Sequence, residues 1–162
     1  MNIRRATVAD AELIRDLAEV IWPPTFKEIL SQNQLRYMLD WMYAPETLKL
    51  QIAGGHEFYI IEDPKPVGFM GIELNHPDQG VLKIHKLYVL PQSQGKGYGK
   101  KLVEKAIFRH KEENLHTLTL NVNRFNPAVA FYKRLGFTIE RTEDIDIGNG
   151  YLMEDFVMNY TD

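Results

Sequence analysis

Three glycines, at positions 95, 97 and 99, lie between an apolar, strand-like run and an amphipathic, helix-like one. Glycine lets the backbone approach a ligand closely, and the start of a helix offers unpaired N–H groups at its positive end. Lys96 and Lys100 add positive charge to the same segment. This chemistry suits a phosphate or pyrophosphate group. A plain strand-to-helix turn beside a solvated basic helix is the alternative.

The spacing excludes two familiar phosphate loops. A Walker loop ending at Gly99 and Lys100 requires glycine at 94 and Ser or Thr at 101, where this chain has Gln94 and Lys101. A dinucleotide fingerprint starting at Gly95 requires glycine at position 100, which is lysine here. The loop must therefore bind phosphate in another way.

Two motifs resemble the signatures of the GNAT superfamily of N-acetyltransferases. The pattern Gln94-x-x-Gly97-x-Gly99, preceded by the run Leu87–Pro91, resembles the family's acyl-CoA-binding motif. About 30 residues later, the segment Asn126–Phe137 resembles its second signature. The resemblance covers the chain from about residue 57 onward, and the order of elements agrees with it from residue 1.

The resemblance implies acetyl-CoA as the cosubstrate, with its pantetheine arm between two splayed strands, Val81–Leu90 and Thr117–Val122. The implied cofactor-binding residues are Leu87, Tyr88, Val89, Gln94, Gly95, Lys96, Gly97, Tyr98, Gly99, Lys100, Asn123 and Asn126. Many relatives place the asparagine one position before Asn126, where this chain has Phe125. Asn123 is therefore the alternative for that contact.

Attack of an amine on a thioester needs a neutral amine, a stabilised oxyanion and a proton for the departing thiolate. The resemblance implies a backbone N–H near Val89 as the oxyanion donor and Tyr132 as the acid. A phenol stays protonated at neutral pH and can give that proton. Packing beside the cofactor is the alternative role for Tyr132.

The general base has two candidates. In the histone-acetylating branch a glutamate lies at the position of Lys83, which cannot act as a base while charged. His85 follows two residues later and matches a histidine position of the serotonin N-acetyltransferases, and a neutral imidazole accepts protons near pH 7. Glu73, on the neighbouring predicted strand, is the second candidate and would act through water. A half-buried structural histidine is the alternative for His85.

Composition excludes several other chemistries. The chain contains no cysteine, which rules out disulfides, Cys-ligated zinc, iron–sulfur clusters and a thiolate nucleophile, so direct transfer of the acetyl group is expected. The other histidines, His56, His76, His110 and His116, lack metal-motif spacing, and we expect no metal site. A net charge of −3 argues against nucleic acid as a partner. The sequence shows no signal peptide or membrane span, so we expect a cytoplasmic protein.

The acceptor is expected to be a small-molecule amine. The stretch Glu140–Asp155 holds six acidic side chains against Arg141, which indicates either a solvated face or attraction of a polyamine or lysine side chain. The Gly148–Tyr151 turn and the layout of the N-terminal helices resemble bacterial spermidine/spermine N-acetyltransferases. A protein or peptide N-acetyltransferase and a non-catalytic acyl-CoA-binding module remain alternatives. A homodimer paired through the terminal strands is also left open.

Residues 1–162 are expected to form one α/β domain of mixed α+β type. The predicted order is a strand, helices, three strands, a helix, a strand, a helix and two strands. The sheet is expected to be mostly antiparallel around the splayed parallel pair, with helices flanking it. Pro23-Pro24 is predicted to end the first helix, and the next-to-last strand is predicted over Phe137–Arg141.

Overall fold

The computed structural model describes residues 1–161 of the chain. Its strands are β1 (Asn2–Arg5), β2 (Glu57–Glu62), β3 (Pro66–Leu74), β4 (Val81–Val89), β5 (Thr117–Asn123), β6 (Phe137–Asp146) and β7 (Leu152–Tyr160). Its α-helices are α1 (Ala11–Phe26), α2 (Gln32–Met42), α3 (Pro45–Ala53), α4 (Tyr98–Glu112) and α5 (Ala128–Arg134). Short 3₁₀ turns cover Val8–Asp10 and Pro91–Ser93.

The seven strands form one sheet in the order β1-β2-β3-β4-β5-β7-β6. The β4–β5 pair is parallel, and the other neighbouring pairs are antiparallel. The predicted fold class, a mixed sheet with a central parallel pair flanked by helices, is confirmed. Within residues 1–161 no helix is long and apolar enough to cross a membrane.

Each face of the sheet carries its own apolar core. One core packs α4 and α5 against inward residues such as Ile84 and Leu120. The other packs α1, α2 and α3 against residues such as Ile60 and Phe69. Successive side chains of a strand point to opposite faces, and β2, β3 and β4 contribute to both cores. This sandwich holds β4 rigidly between two layers of helices.

One predicted helix boundary is wrong. The sequence predicts that Pro23 and Pro24 end the first helix, but α1 continues through both to Phe26. Proline removes a helical N–H donor, which usually ends or kinks a helix. Here Trp22 and Phe26, on either side of the prolines, are buried in the core of α1 to α3. Their packing holds the last turn in place.

The end of β6 also differs from the prediction. The strand was expected to stop at Arg141, but it runs on to Asp146 and pairs with β7 along the extension. Pairing with β7 satisfies the backbone, while the charged side chains face solvent on an edge strand, where charge is common. Much of the acidic stretch therefore lies on an exposed sheet edge.

Candidate active site

The parallel strands β4 and β5 separate along their length and open a cavity. Among the described residues their pairing runs from Val81 opposite Thr117 to Ile84 opposite Leu120 and then stops. β4 continues to Val89 without β5 beside it, and a cavity of about 840 Å³ lies at the gap. The splay predicted for this strand pair is present.

The free edge of β4 presents specific N–H groups to this gap. The N–H of Leu90 donates to the carbonyl of Val67 on β3 at 2.8 Å. Neighbouring peptide groups of a strand point in opposite directions, so the N–H groups of Val89 and Leu87 point away from β3 and toward the gap. The backbone donors expected for a pantetheine arm and an oxyanion therefore face one space.

The glycine loop follows β4 and ends where α4 begins. Gly95 and Gly97 have φ of 80° and 85°, a left-handed conformation that favours glycine. Gly97 caps α4, and the first helical bond to it comes from the N–H of Lys101 at 3.1 Å. The N–H groups of Tyr98, Gly99 and Lys100 therefore lack helical partners and are available to an anion.

Gly99 is needed for packing rather than for backbone freedom. A Cβ built at this position would lie 3.1 Å from Cζ of Phe131 on α5.

The hydroxyl group of Tyr98 donates a hydrogen bond to Asp63 at 2.5 Å, on the outer side of α4. Lys96 and Lys100 line a shallow second depression there together with Tyr98. Tyr98 can thus offer the gap its backbone N–H.

The three predicted amide side chains all line the gap, and each makes a local hydrogen bond. The Nε2 of Gln94 donates to the carbonyl of Val89 at 3.3 Å. The Oδ1 of Asn123 accepts from the N–H of Phe125, and the Oδ1 of Asn126 accepts from the N–H of Ala128, each at 2.9 Å. Both asparagines therefore shape the turn between β5 and α5.

Tyr132 lies on α5 and lines the gap. Its ring packs edge-on against Phe131 and Phe137, with centroids 5.1 and 5.6 Å away. Burial raises the pKa of Tyr132 above its ordinary value, which keeps the phenol protonated. Tyr88 on β4 lines the same cavity, and burial together with Tyr132 and Asp155 raises its pKa as well. Both phenols are chemically able to donate a proton.

His85 and Glu73 are in direct contact. The β3–β4 register places Gly71 opposite Lys86 and Ile72 opposite Ile84, which leaves His85 as the extra residue of a β-bulge. Its Nε2 lies 2.9 Å from Oε1 of Glu73. Sequence reasoning treated these two as alternatives, whereas the fold joins them.

Electrostatics keep this pair as a neutral imidazole beside a carboxylate. Burial lowers the pKa of His85 to about 4, although the hydrogen bond to Glu73 opposes the shift. Burial tends to raise the pKa of Glu73, but the bond from His85 and the nearby imidazoles bring it below its ordinary value. At neutral pH the His85 imidazole is therefore uncharged, which leaves it a free lone pair but makes it a weaker base than an exposed imidazole.

Among the described residues, four charged ones that line the cavity were not singled out as site residues from the sequence: Lys83, Lys86, Arg134 and Asp155. Asp155 on β7 is 3% exposed and accepts a hydrogen bond from Nδ2 of Asn121 at 3.3 Å; burial raises its pKa. Lys83 on β4 lines the same cavity. Elsewhere in the acidic stretch, Asp144 pairs with Arg124 at 2.7 Å on the surface. The acidic composition does not show which carboxylate of this stretch is buried, because the strand register determines its burial.

A sequence model of the Acetyltransferase (GNAT) family matches residues 14–137. The chain is a member of the GNAT acetyltransferase family. This match spans the glycine loop, the gap and α5, and it confirms the family named from the two motifs.

Two curated relatives show how the GNAT family diverges in its acceptors. The chain is 30% identical to the [ribosomal protein bS18]-alanine N-acetyltransferase of Haemophilus influenzae, over 78% of this chain and 80% of that protein. It is 25% identical to the spermidine N(1)-acetyltransferase of Thermoplasma acidophilum, over 95% of this chain and 96% of that one. It spans between 42% and 57% of the length of three other curated relatives.

Among solved structures, the PaiA N-acetyltransferase of Thermoplasma acidophilum, crystallised in complex with coenzyme A, superposes with a TM-score of 0.84. The match covers 99% of this chain and 98% of that one, at 24% sequence identity. The two proteins share the GNAT fold along the length of the matched chains.

Proposed function

We propose that this GNAT protein transfers an acetyl group from acetyl-CoA to the primary amine of a small cationic acceptor while both substrates are bound. The gap between β4 and β5 carries the proposal, because the free edge at Leu87 and Val89 leads directly to the open N-terminus of α4. An extended pantetheine arm can pair with such an edge, and a pyrophosphate suits the helix start. The complex of PaiA with coenzyme A supports this choice of ligand.

The residues around the gap supply the groups that the reaction needs. Acetyl-CoA brings an activated thioester, and the absence of cysteine favours direct attack on it by the amine. The N–H of Val89 stabilises the oxyanion, and Tyr132 gives a proton to the departing sulfur. His85, held by Glu73, accepts the proton of the amine. These four roles use groups that lie along one cavity or touch it.

The acceptor class rests on Asp155. This carboxylate is almost completely buried beside the cavity, where an ammonium group at the far end of a polyamine would be attracted to it. The relation to the Thermoplasma spermidine N(1)-acetyltransferase, which extends over 95% of the chain, supports the same class. The cytoplasm is the proposed location, since it supplies both acetyl-CoA and polyamines.

A protein or peptide amine is the second candidate acceptor. The relative from Haemophilus influenzae, named as acting on an alanine of a ribosomal protein, has the higher identity of the two relatives described above.

A non-catalytic acyl-CoA-binding module is the third candidate. Lys83 supports it, because a glutamate serves as the base at that position in the histone-acetylating branch.

Turnover distinguishes these candidates. Release of CoA thiol is measured with acetyl-CoA and a panel of polyamines, aryl-alkyl amines, amino acids and peptides, with a reaction lacking amine as the blank. We expect the highest kcat/KM with spermidine or spermine. Activity confined to peptides would overturn the small-amine proposal, and acetyl-CoA binding without turnover on any acceptor would favour the non-catalytic module.

A further inference from the structure

Two strands and the residue before a third bring metal-ligating side chains together on the sheet face that packs against α1 to α3. His56 immediately precedes β2, Glu73 lies on β3 and His85 forms the bulge of β4. Glu57 is opposite Ile72, so His56 and Glu73 are cross-strand neighbours. Among residues 1–161, one group of three such side chains has its ligand atoms close enough to share an ion, all within 4.8 Å of one another.

The nitrogen atoms converge on one carboxylate oxygen. Oε1 of Glu73 lies 2.9 Å from Nε2 of His85 and 3.2 Å from Nε2 of His56. It also lies 3.4 Å from Nδ1 of His76, which closes the β3–β4 hairpin. The imidazoles of His56 and His85 are nearly parallel, with centroids 5.3 Å apart and planes 13° apart.

The contacts of Oε1 with His56 and His76 are close to the spacing of donors around a tetrahedral zinc ion, and the contact with His85 is shorter. Zinc–nitrogen bonds of about 2.0–2.1 Å place neighbouring donors about 3.3 Å apart. Of the three imidazoles around Oε1, His85 has hydrogen-bond geometry, whereas His56 and His76 make longer contacts.

The ammonium of the buried Lys86 lies 5.5 Å from the ring centroids of Tyr43 and Phe58. Burial together with the charge of Lys86 lowers the pKa of both His56 and His85, which keeps these imidazoles neutral.

We propose that His56, Glu73 and His85 form a binding site for a divalent transition metal, with zinc as the probe ion, and that the bound metal inhibits the enzyme. Two imidazoles and one carboxylate are a donor set that zinc accepts readily, whereas magnesium and calcium prefer oxygen ligands. The fourth position faces His76 or water. The inhibition rests on the proposed function, because the metal would occupy the imidazole that accepts the proton of the amine. Metal binding itself does not depend on the proposed function.

Binding is tested first, without reference to activity. Chelator-treated protein is titrated with Zn²⁺ by calorimetry and with Co²⁺ by visible absorption, which reports tetrahedral coordination. We expect one zinc ion per chain, no measurable Mg²⁺ binding, and a Kd at least about 100-fold weaker in His56→Gln. His116→Gln changes a histidine outside the cluster and should leave the Kd unchanged. Equal zinc affinity in wild type and His56→Gln would overturn the site, as would no zinc binding at all.

Glu73→Gln is a second binding variant, for the case that His56→Gln does not fold. Only its zinc affinity is measured, and we expect that affinity to fall as well.

Acetyltransferase rates are then measured over the same zinc range. We expect inhibition of wild type to follow the binding curve, and the rate of His56→Gln, taken relative to its own rate without zinc, to resist inhibition. Equal inhibition of both would overturn the regulatory role. If no acceptor supports turnover, the binding experiment still decides the metal site, so the two proposals fail separately.

Discussion

At the scale of single residues, the hydroxyl group of Tyr132 is the one whose removal is most informative. Tyr132→Phe keeps the ring between Phe131 and Phe137 but removes the proton donor. We expect kcat to fall about 100-fold or more while acetyl-CoA affinity stays nearly unchanged. Steady-state kinetics and calorimetry measure the two effects. The control is Tyr37→Phe, which removes a hydroxyl group hydrogen-bonded to the carbonyl of Ile147. An equal loss of kcat and acetyl-CoA affinity in Tyr132→Phe would show that Tyr132 is a packing residue.

Asp155 tests the acceptor class at the same scale. Asp155→Asn preserves the shape of the side chain and removes its charge beside the cavity. If a remote ammonium is held there, KM for spermidine should rise about 10-fold or more, as expected for a lost charged hydrogen bond, while a neutral-tailed amine is unaffected. Asp144→Asn, on the surface pair with Arg124, is the matched control. A similar change in KM for both kinds of amine would argue against a cationic acceptor.

At the scale of elements, the start of α4 depends on a left-handed residue. Gly97→Ala should lower the free energy of unfolding by about 1 kcal/mol, because an alanine at φ 85° is strained although nothing lies within 4 Å of its Cβ. The variant should also weaken CoA binding by turning the N–H groups of the loop, and Gly97→Asn should recover part of both losses. Urea denaturation and calorimetry measure the two quantities.

Gly55 provides the matched control for that prediction. It has φ of 109°, and a Cβ there also meets nothing within 4 Å, but it lies in the turn between α3 and β2. Gly55→Ala should cost a similar amount of stability and leave CoA affinity unchanged. If both variants weaken CoA binding equally, the loop geometry at Gly97 has no special role in binding.

At the scale of the whole molecule, an ion pair joins the sheet to α4. Arg109 donates to Glu57 through Nη2 at 2.7 Å and Nε at 2.9 Å, and Tyr59 donates to the same carboxylate. Arg109→Met should destabilise the fold by about 3 kcal/mol, because the buried Glu57 loses its bidentate partner. The carboxylate keeps Tyr59 and the more distant Arg5. The exposed pair of Arg141 and Glu143 is the control, and Arg141→Met should cost less than about 1 kcal/mol.

The same pair gives a pH dependence with a definite sign. Burial raises the pKa of Glu57, but Arg109 and Tyr59 outweigh this and hold it below its ordinary value. A carboxyl whose pKa is lowered by folding stabilises the protein above its unfolded pKa and loses that contribution as pH falls through the folded pKa. Urea denaturation at several pH values should show the gap between wild type and Arg109→Met narrowing in acid. A gap independent of pH would show that the cost arises from packing.

The contrast between α1 and α2 shows where local sequence signals suffice. Ser31 is a residue type that caps helices, and Gln34 follows three residues later; the side chain of Ser31 accepts from the N–H of Gln34 at 3.1 Å just before α2 begins. The stop expected at Pro23-Pro24 failed because the neighbouring aromatic residues are buried by elements far along the chain. Capping acts within one turn, whereas burial depends on the whole fold.

The sequence by itself determined the family and the order of the elements, and it predicts phosphate binding at the glycine loop, because glycines, prolines and caps act over a few residues. The tertiary structure alone decided which side chains meet. It brings Glu73, His85 and His56 into contact, and it buries Asp155 while Asp144 lies on the surface. The strand register and the β-bulge determine these contacts. The register depends on the burial of both sheet faces rather than on spacing along the chain.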